Sequence, residues 1–247
     1  MLTGSLSVAD RDVCKIRAYA DSDLGVDVWS PKSTTGYWVE VQGADNRSFP
    51  LSWAARFQGS SSTHTCESET VSLCDAIKRE VIPLKLLMER LLNRDVDADI
   101  FEDNAACIIS VSKGYSPAMR YIGRTQKVQL GFLHDVCNII PEAGRDSQRV
   151  EPIRDDEIKD KPINLKKVGT DEQKADLFTK ELDRIKFKQL ASMIGMRSKL
   201  TTQAAMVAIS TAVIPQSESY AEGVSPIHKI GHSLCYPVRE IVFEAAD

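Results

Sequence analysis

The chain has 247 residues, of which 43% are hydrophobic and 27% are charged, and its formal net charge is −4. This composition is typical of a globular protein with a sizeable core, and it excludes a strongly basic chain that binds nucleic acid through overall charge. The longest uncharged stretch, residues 200–217, contains several Ser and Thr residues and a proline, so we expect no membrane span. Six scattered cysteines without a C-x-x-C pair, and no signal peptide, indicate a reducing, cytoplasmic compartment.

The first third of the chain predicts an antiparallel meander followed by a long helix. Three short runs rich in aromatic and β-branched residues have the character of strands: "CKIRAYA", "TGYWVEVQG" and "SFPLSWAA". From Thr65 to Arg94, apolar residues recur at steps of three and four, which predicts a helix. Pro83 interrupts this helix and should kink it, because the apolar stripe resumes in phase.

Strands and helices alternate over residues 98–196. "ADIFED" predicts a fourth strand, and helices are expected from Asn104 and across Thr125 to Ile140. A fifth strand, "INLKKVG", precedes "TDEQKADLFTKEL", in which the spacing of Thr170 and Gln173 predicts a capping box and a helix. A final amphipathic helix is predicted over "RIKFKQLASMIGM". This order predicts an α/β fold with a mixed sheet covered by helices.

The predicted domain organisation follows from changes in composition. Residues 1–14 are a lead-in, residues 15–196 form the domain, and residues 197–247 form a weakly ordered tail. Residues 141–162 are rich in charge and turn formers, which indicates an exposed insertion within the domain. The glycine-rich nucleotide motifs and the H-E-x-x-H zinc motif are absent from the sequence, so nothing supports those common sites.

Four acidic residues stand at the edges of the predicted elements: Asp21, Glu69, Asp103 and Asp176. Carboxylates brought together in this way can hold magnesium, which binds through a few carboxylates, water and substrate phosphate. Taken singly, each of them also fits an ordinary turn or cap residue. Helical phase alone does not separate Glu69 from Glu67, and spacing alone does not establish that the four converge.

Seven motifs, taken together and in order, resemble those of a known family. In chain order they are "AYADSDLG", "PKSTTGYWVEVQG", "LSWAAR", "TCESETVSLCDAIKREVIPLKLLMERL", "FEDNAACI", "GRTQKV" and "TDEQKADLFTKEL". The series resembles the ribonuclease H domain at the C-terminal end of copia-type retrotransposon Pol polyproteins, over roughly residues 15 to 196. The resemblance implies a ribonuclease H-like fold, with a five-stranded mixed sheet and helices on both faces.

The resemblance also implies an activity and a set of site residues. The expected reaction is hydrolysis of the RNA strand of an RNA–DNA hybrid, with two Mg²⁺ or Mn²⁺ ions held by Asp21, Glu69, Asp103 and Asp176. The family pattern favours Glu69 over Glu67, and it leaves Glu102 as a solvent-facing neighbour of Asp103. Candidate contacts to the substrate phosphates are Lys32, Arg56, Arg120, Arg124 and Lys127.

Two further expectations concern partners and an alternative function. The chain lacks polymerase and integrase motifs, so we expect a fragment of a polyprotein whose other partner is the polymerase part. The segment from Arg124 to Leu133 departs from the family pattern, because a Lys-His pair and a later Tyr-His pair are replaced. The alternative is therefore a non-catalytic retrotransposon remnant that acts as a nucleic-acid or protein interaction module.

Overall fold

The computed structural model describes residues 2, 4–25, 31–140 and 162–196. The strands are β1 (Lys15–Asp23), β2 (Thr34–Gln42), β3 (Ser48–Phe57), β4 (Ala98–Glu102), β5 (Cys137–Ile140) and β6 (Ile163–Lys167). The α-helices are α1 (Thr65–Ala76), α2 (Ile82–Leu92), α3 (Ala105–Lys113), α4 (Ile122–Thr125), α5 (Leu130–Val136) and α6 (Arg184–Met193). The predicted tail, and the predicted insertion except Pro162, lie outside the described residues, and the domain division stays a prediction.

The strands form one mixed sheet in the order β3-β2-β1-β4-β6-β5. The pairs β1–β2 and β2–β3 are antiparallel, whereas β1–β4, β4–β6 and β6–β5 are parallel. An antiparallel meander that continues into parallel strands confirms the predicted mixed sheet and the ribonuclease H-like fold. The described sheet has six strands rather than five, because β5 adds an edge strand beside β6.

Side-chain alternation along β1 and β2 divides the core between the two faces of the sheet. Ala18 and Ala20 face the larger core, which α1 and α3 cover. Tyr19 and Trp38 face a smaller core beneath the segment from residue 170 to the end of α6. The predicted helical cover on both faces is therefore confirmed. No helix in the described part of the chain is long and apolar enough to cross a membrane.

The predicted long helix is present as a continuous helical run with an irregular turn in the middle. Residues Ile77–Val81 form a π-helical turn between α1 and α2, and Pro83 lies at the start of α2. Proline lacks the N–H that the preceding turn requires, and a π turn is one of the ways in which a helix accommodates that loss. The helix thus continues through Pro83 as expected, and the kink itself stays a prediction.

One predicted helix is only partly present, and another is wrong. Residues 125–140 contain the end of α4, α5 and the edge strand β5, and Lys127 between the helices has a positive φ of 60°. The predicted capping box at Thr170 and Gln173 does not start an α-helix, because residues 170–178 form two short 3₁₀ helices, Thr170–Glu172 and Lys174–Phe178. Gln173 instead donates from Nε2 to the carbonyl of Ala20 at 2.8 Å, which holds this segment flat against the sheet.

A buried ion pair fastens the second 3₁₀ helix to the sheet. The Lys174 ammonium donates to Glu40 Oε1 and Oε2 at 2.6 and 2.8 Å, and Trp38 Nε1 donates to Glu40 Oε2 at 2.9 Å. Both charged residues are buried. Removing one partner of such a pair leaves an uncompensated buried charge.

We therefore expect Lys174→Met to lower the free energy of unfolding by about 3 kcal/mol. Urea denaturation monitored by tryptophan fluorescence measures this change. The double variant Lys174→Met/Glu40→Gln is the control, and it should recover most of the loss because the orphaned charge is gone. A single variant as stable as the wild type would contradict a structural role for the pair.

Candidate metal centre

Three of the four predicted carboxylates meet at one edge of the sheet. Asp21 lies near the end of β1, and Asp103 directly follows β4. These strands are parallel neighbours, so their carboxyl ends share an edge, and Glu69 reaches it from α1, which packs over β1. One carboxylate oxygen from each of the three residues lies within 4.8 Å of the other two.

Local hydrogen bonds hold the elements that carry these side chains. Asn104 caps α3, and its Oδ1 accepts from the backbone N–H groups of Ala106 and Cys107 at 3.0 and 3.1 Å. Ser72 Oγ on α1 donates to the carbonyls of Asp21 and Gly36, at 2.6 and 3.1 Å. The helix is thereby tied to the two strands that meet at the site, with Glu69 one turn before Ser72.

The electrostatics of the cluster favour a bound cation. Burial, followed by the charges of Asp21 and Asp103, raises the pKa of Glu69 to about 9. Burial also raises the pKa of Asp21 to about 6, although Lys180 and Thr179 oppose this shift. The pKa values stay raised even though Lys180 lies beside Asp21, so the buried carboxyl groups are short of positive charge, and a divalent ion would supply it.

The residues present also fit a metal ion sterically. Glu69 Oε2 is buried and has no hydrogen-bond partner among the described residues, which leaves it available as a ligand. An open cleft of about 410 Å³ borders the cluster, and Glu69, Asp103 and Lys180 contribute to its lining. Hard divalent cations such as Mg²⁺ and Mn²⁺ prefer oxygen ligands of this kind.

The fourth predicted carboxylate, Asp176, lies beside this cluster and is held by two lysines. Its Oδ1 accepts from Lys180 Nζ at 2.7 Å, and its Oδ2 accepts from Lys186 Nζ at 2.6 Å. Lys180 Nζ also donates to Asp21 Oδ1 at 2.9 Å. Asp176 thus reaches Asp21 through a shared ammonium group, and its role as a metal ligand stays a prediction.

A glycine permits this close approach. Gly36 pairs with Asp21 across β1 and β2, and a Cβ at that position would collide with Thr179 Cγ2. Thr179 Oγ1 in turn donates to Asp21 Oδ2. The bare backbone of β2 therefore lets the segment after Asp176 pack directly against the edge of the sheet that carries the carboxylates.

Two other acidic side chains lie close by in sequence. Glu102 was expected to face solvent, and that expectation is wrong, because Glu102 is completely buried and its Oε1 accepts from the Asn104 N–H at 3.0 Å. Burial and then the charge of Glu69 raise the pKa of Glu102 well above its ordinary value. Glu67 instead accepts from Thr63 and Tyr121, at 2.8 to 2.9 Å, away from the cluster.

The five basic residues proposed for phosphate contacts occupy different surroundings. Arg120, Arg124 and Lys127 are exposed around α4, where Gln126 Nε2 donates to the carbonyl of Ser60 at 2.9 Å in the loop that precedes α1. Lys32 is exposed ahead of β2. Arg56 is half-buried, paired with Asp75 at 3.0 Å and stacked over the Tyr37 ring. Their contacts with substrate stay predictions.

Comparisons with known proteins identify a distant relative. No family model matches the chain. Over 183 residues, 74% of its length, it is 25% identical to the "Retrovirus-related Pol polyprotein from transposon TNT 1-94" of Nicotiana tabacum, and it spans 12% of that polyprotein. A solved structure, LC11-RNase H1 isolated from compost, is 11% identical with a TM-score of 0.35, covering 79% of this chain and 98% of that one. The chain is a distant homologue of copia-type Pol polyproteins, and its strand order is ribonuclease H-like.

Proposed function

We propose that this chain, as a distant homologue of copia-type Pol polyproteins with a ribonuclease H-like fold, hydrolyses the RNA strand of RNA–DNA hybrids. The observation that carries the proposal is the convergence of Asp21, Glu69 and Asp103 within 4.8 Å at the carboxyl ends of β1 and β4. Asp176 is proposed to complete the set. The reaction, its substrate and any cooperation with a polymerase part are proposals, since the chain spans only a small share of the polyprotein that it matches.

The proposed division of labour follows from the positions of the carboxylates. Asp21 and Asp103, each fixed by its strand, would anchor Mg²⁺ or Mn²⁺, and Glu69 would complete the ligand set from α1. Metal ions in such a site activate an attacking water and neutralise the scissile phosphate. The residues around the cleft then have to orient the phosphate. We assign this role to Asn104, which lines the cleft, and to Lys180 once its ammonium has left Asp21 and Asp176.

Recognition of a hybrid would depend on the surface around the cleft. The exposed basic residues around α4 lie beside the loop that leads into α1, so phosphates of a bound duplex can be contacted on that side. Discrimination against DNA is expected to come from 2′-hydroxyl contacts across the wide minor groove of the hybrid. Binding that depends on phosphate contacts should weaken as salt concentration rises.

A cleavage assay with one conservative variant tests the proposal. The purified chain is incubated with a labelled RNA–DNA hybrid in Mg²⁺ or Mn²⁺, and Asp103→Asn is expected to lose at least about 100-fold in rate. Asp97→Asn is the matched control, because Asp97 is exposed just before the start of the same strand. Wild-type cleavage no faster than that of Asp103→Asn would contradict the proposal, and binding of the hybrid without turnover would support an interaction module instead.

A further inference from the structure

We propose that Lys180 occupies the place of a second cation between Asp21 and Asp176, so that the resting site takes one divalent ion rather than two. This inference rests on the proposed metal-dependent function and concerns how the same site is loaded. The single ion belongs to Asp21, Glu69 and Asp103. Asp21 and Asp176 would hold a second ion only after the Lys180 ammonium withdraws.

The charges on the two sides of Asp21 are distributed unequally. On one side, Asp21 and Asp176 share Lys180, and Lys186 pairs with the other oxygen of Asp176, so two carboxylates meet two ammonium groups. On the other side, Glu69 and Asp103 form no ion pair within the described part of the chain. A divalent cation gains most where carboxyl groups have no cationic partner to compete with it, which selects the Glu69 and Asp103 side.

The ammonium group lies where a bridging ion would have to bind. Lys180 Nζ is 2.9 Å from Asp21 Oδ1 and 2.7 Å from Asp176 Oδ1, so it already joins the two carboxylates that would hold a second ion. The second oxygen of Asp176 accepts from Lys186 at 2.6 Å. An ion that used Asp176 would therefore have to displace at least one charged hydrogen bond.

The backbone fixes Lys180 in this place. Lys180 donates its N–H to the carbonyl of Asp176 at 3.0 Å, so the two residues follow each other by one turn. Gln173 anchors that turn to β1 through the carbonyl of Ala20. Asp21 and Asp176 both accept from the Lys180 ammonium group, so the side chain is held between the two carboxylates.

Binding of a second ion would therefore be a separate step from binding of the first, because Lys180 has to move before it. The Lys180 side chain keeps 32% of its surface exposed, and it lines the cleft, so it can swing outward without unpacking the core. A long flexible stem makes such a movement easy for lysine. Displacement would leave its ammonium facing the cleft, where a substrate phosphate is expected.

Counting bound ions tests the inference without any reference to activity. The metal-free chain is titrated with Mn²⁺, and binding is followed by calorimetry and by the paramagnetic resonance of free Mn²⁺. The wild type should bind one ion tightly, and Lys180→Met should bind two, with the second affinity raised roughly tenfold or more. Lys188→Met, an exposed charge on α6, is the control and should leave the count at one.

Further variants separate this inference from the proposed function. Adding Asp176→Asn to Lys180→Met should return the count to one, and Asp103→Asn alone should weaken the first ion. Two tightly bound ions in the wild type, or one in Lys180→Met, would overturn the inference whether or not hybrids are cut. If Lys180→Met does not fold, Lys180→Gln replaces it, and the wild-type count is decisive by itself. A count of one in a chain that never cleaves hybrids would leave the inference standing and the proposed function refuted.

Discussion

Asp21→Asn is expected to reduce hybrid cleavage by about 1,000-fold or more, the largest loss of any single substitution in the site. Asp21 is completely buried at the end of β1 and is the one carboxylate that takes part in both halves of the site. Asparagine keeps the shape but removes the charge, so the ion held with Glu69 and Asp103 should be lost. Asp176→Asn should cost less, because Asp176 reaches the cluster only through Lys180.

The measurement is a single-turnover cleavage rate in saturating Mg²⁺, together with Mn²⁺ binding to the same preparation. Asp12→Asn is the matched control, since Asp12 is an exposed aspartate just before the same strand and is not among the residues that line the cleft. Its activity should stay within a factor of about three of the wild type. An Asp21→Asn protein that is folded and retains a tenth of the wild-type rate would rule out metal binding by Asp21 as the source of catalysis.

The arrangement of Asp21 and Asp103 could be predicted from the sequence because both residues lie at the ends of strands. Strand runs such as "CKIRAYA" and "ADIFED" are recognised by local composition, and parallel strands put their carboxyl ends at one edge. Glu69 was harder to predict as a site residue, since Glu67 lies on the same helix. The resemblance to the family separated the two, and the structure turns Glu69 toward Asp21 while Glu67 bonds to Thr63 and Tyr121.

The lysines on Asp176 and the burial of Glu102 could not be predicted in the same way. The spacing of Asp176 and Lys180 hints at a pair on one helical turn, but the bond from Lys180 to Asp21 crosses from one element to another. Lys186 comes from α6, ten residues further on. Glu102 ends an exposed-looking acidic turn in the sequence, and its burial depends on how α1 and α3 close over β4. Each of these features depends on long-range packing.

The raised pKa of Glu69 predicts an unusual dependence of the free energy of unfolding on pH. Because the pKa of Glu69 rises from 4.5 to about 9 on folding, the native state holds a proton that the unfolded chain releases at intermediate pH. The contribution of Glu69 to the free energy of unfolding is therefore fully present below pH 4.5, and it falls as the pH rises toward 9. Asp21, with its pKa raised to about 6, contributes in the same direction at lower pH.

Without metal, the wild type is expected to lose about 4 kcal/mol of unfolding free energy between pH 5.5 and pH 8.5, because about 1.4 kcal/mol is lost for each pH unit between the two pKa values of Glu69. Glu69→Gln should show much less of this loss and be more stable than the wild type at pH 8.5, because no charge has to be buried. Saturating Mg²⁺ should restore the wild type, since bound metal stabilises the ionised cluster, and should have little effect on Glu69→Gln. Urea denaturation in chelator and in Mg²⁺ measures all four cases.

Glu181→Gln, at an exposed carboxylate, is the control and should follow the wild type at every pH. The decisive result is whether Glu69→Gln raises or lowers the free energy of unfolding at pH 8.5. Loss of an ordinary structural glutamate lowers stability with or without metal, whereas loss of a metal ligand raises stability in chelator and removes the gain from Mg²⁺. A wild-type stability that rises with pH in chelator would show that Glu69 is ionised and paired in the native state, and the case for an ion at Asp21, Glu69 and Asp103 would fail with it.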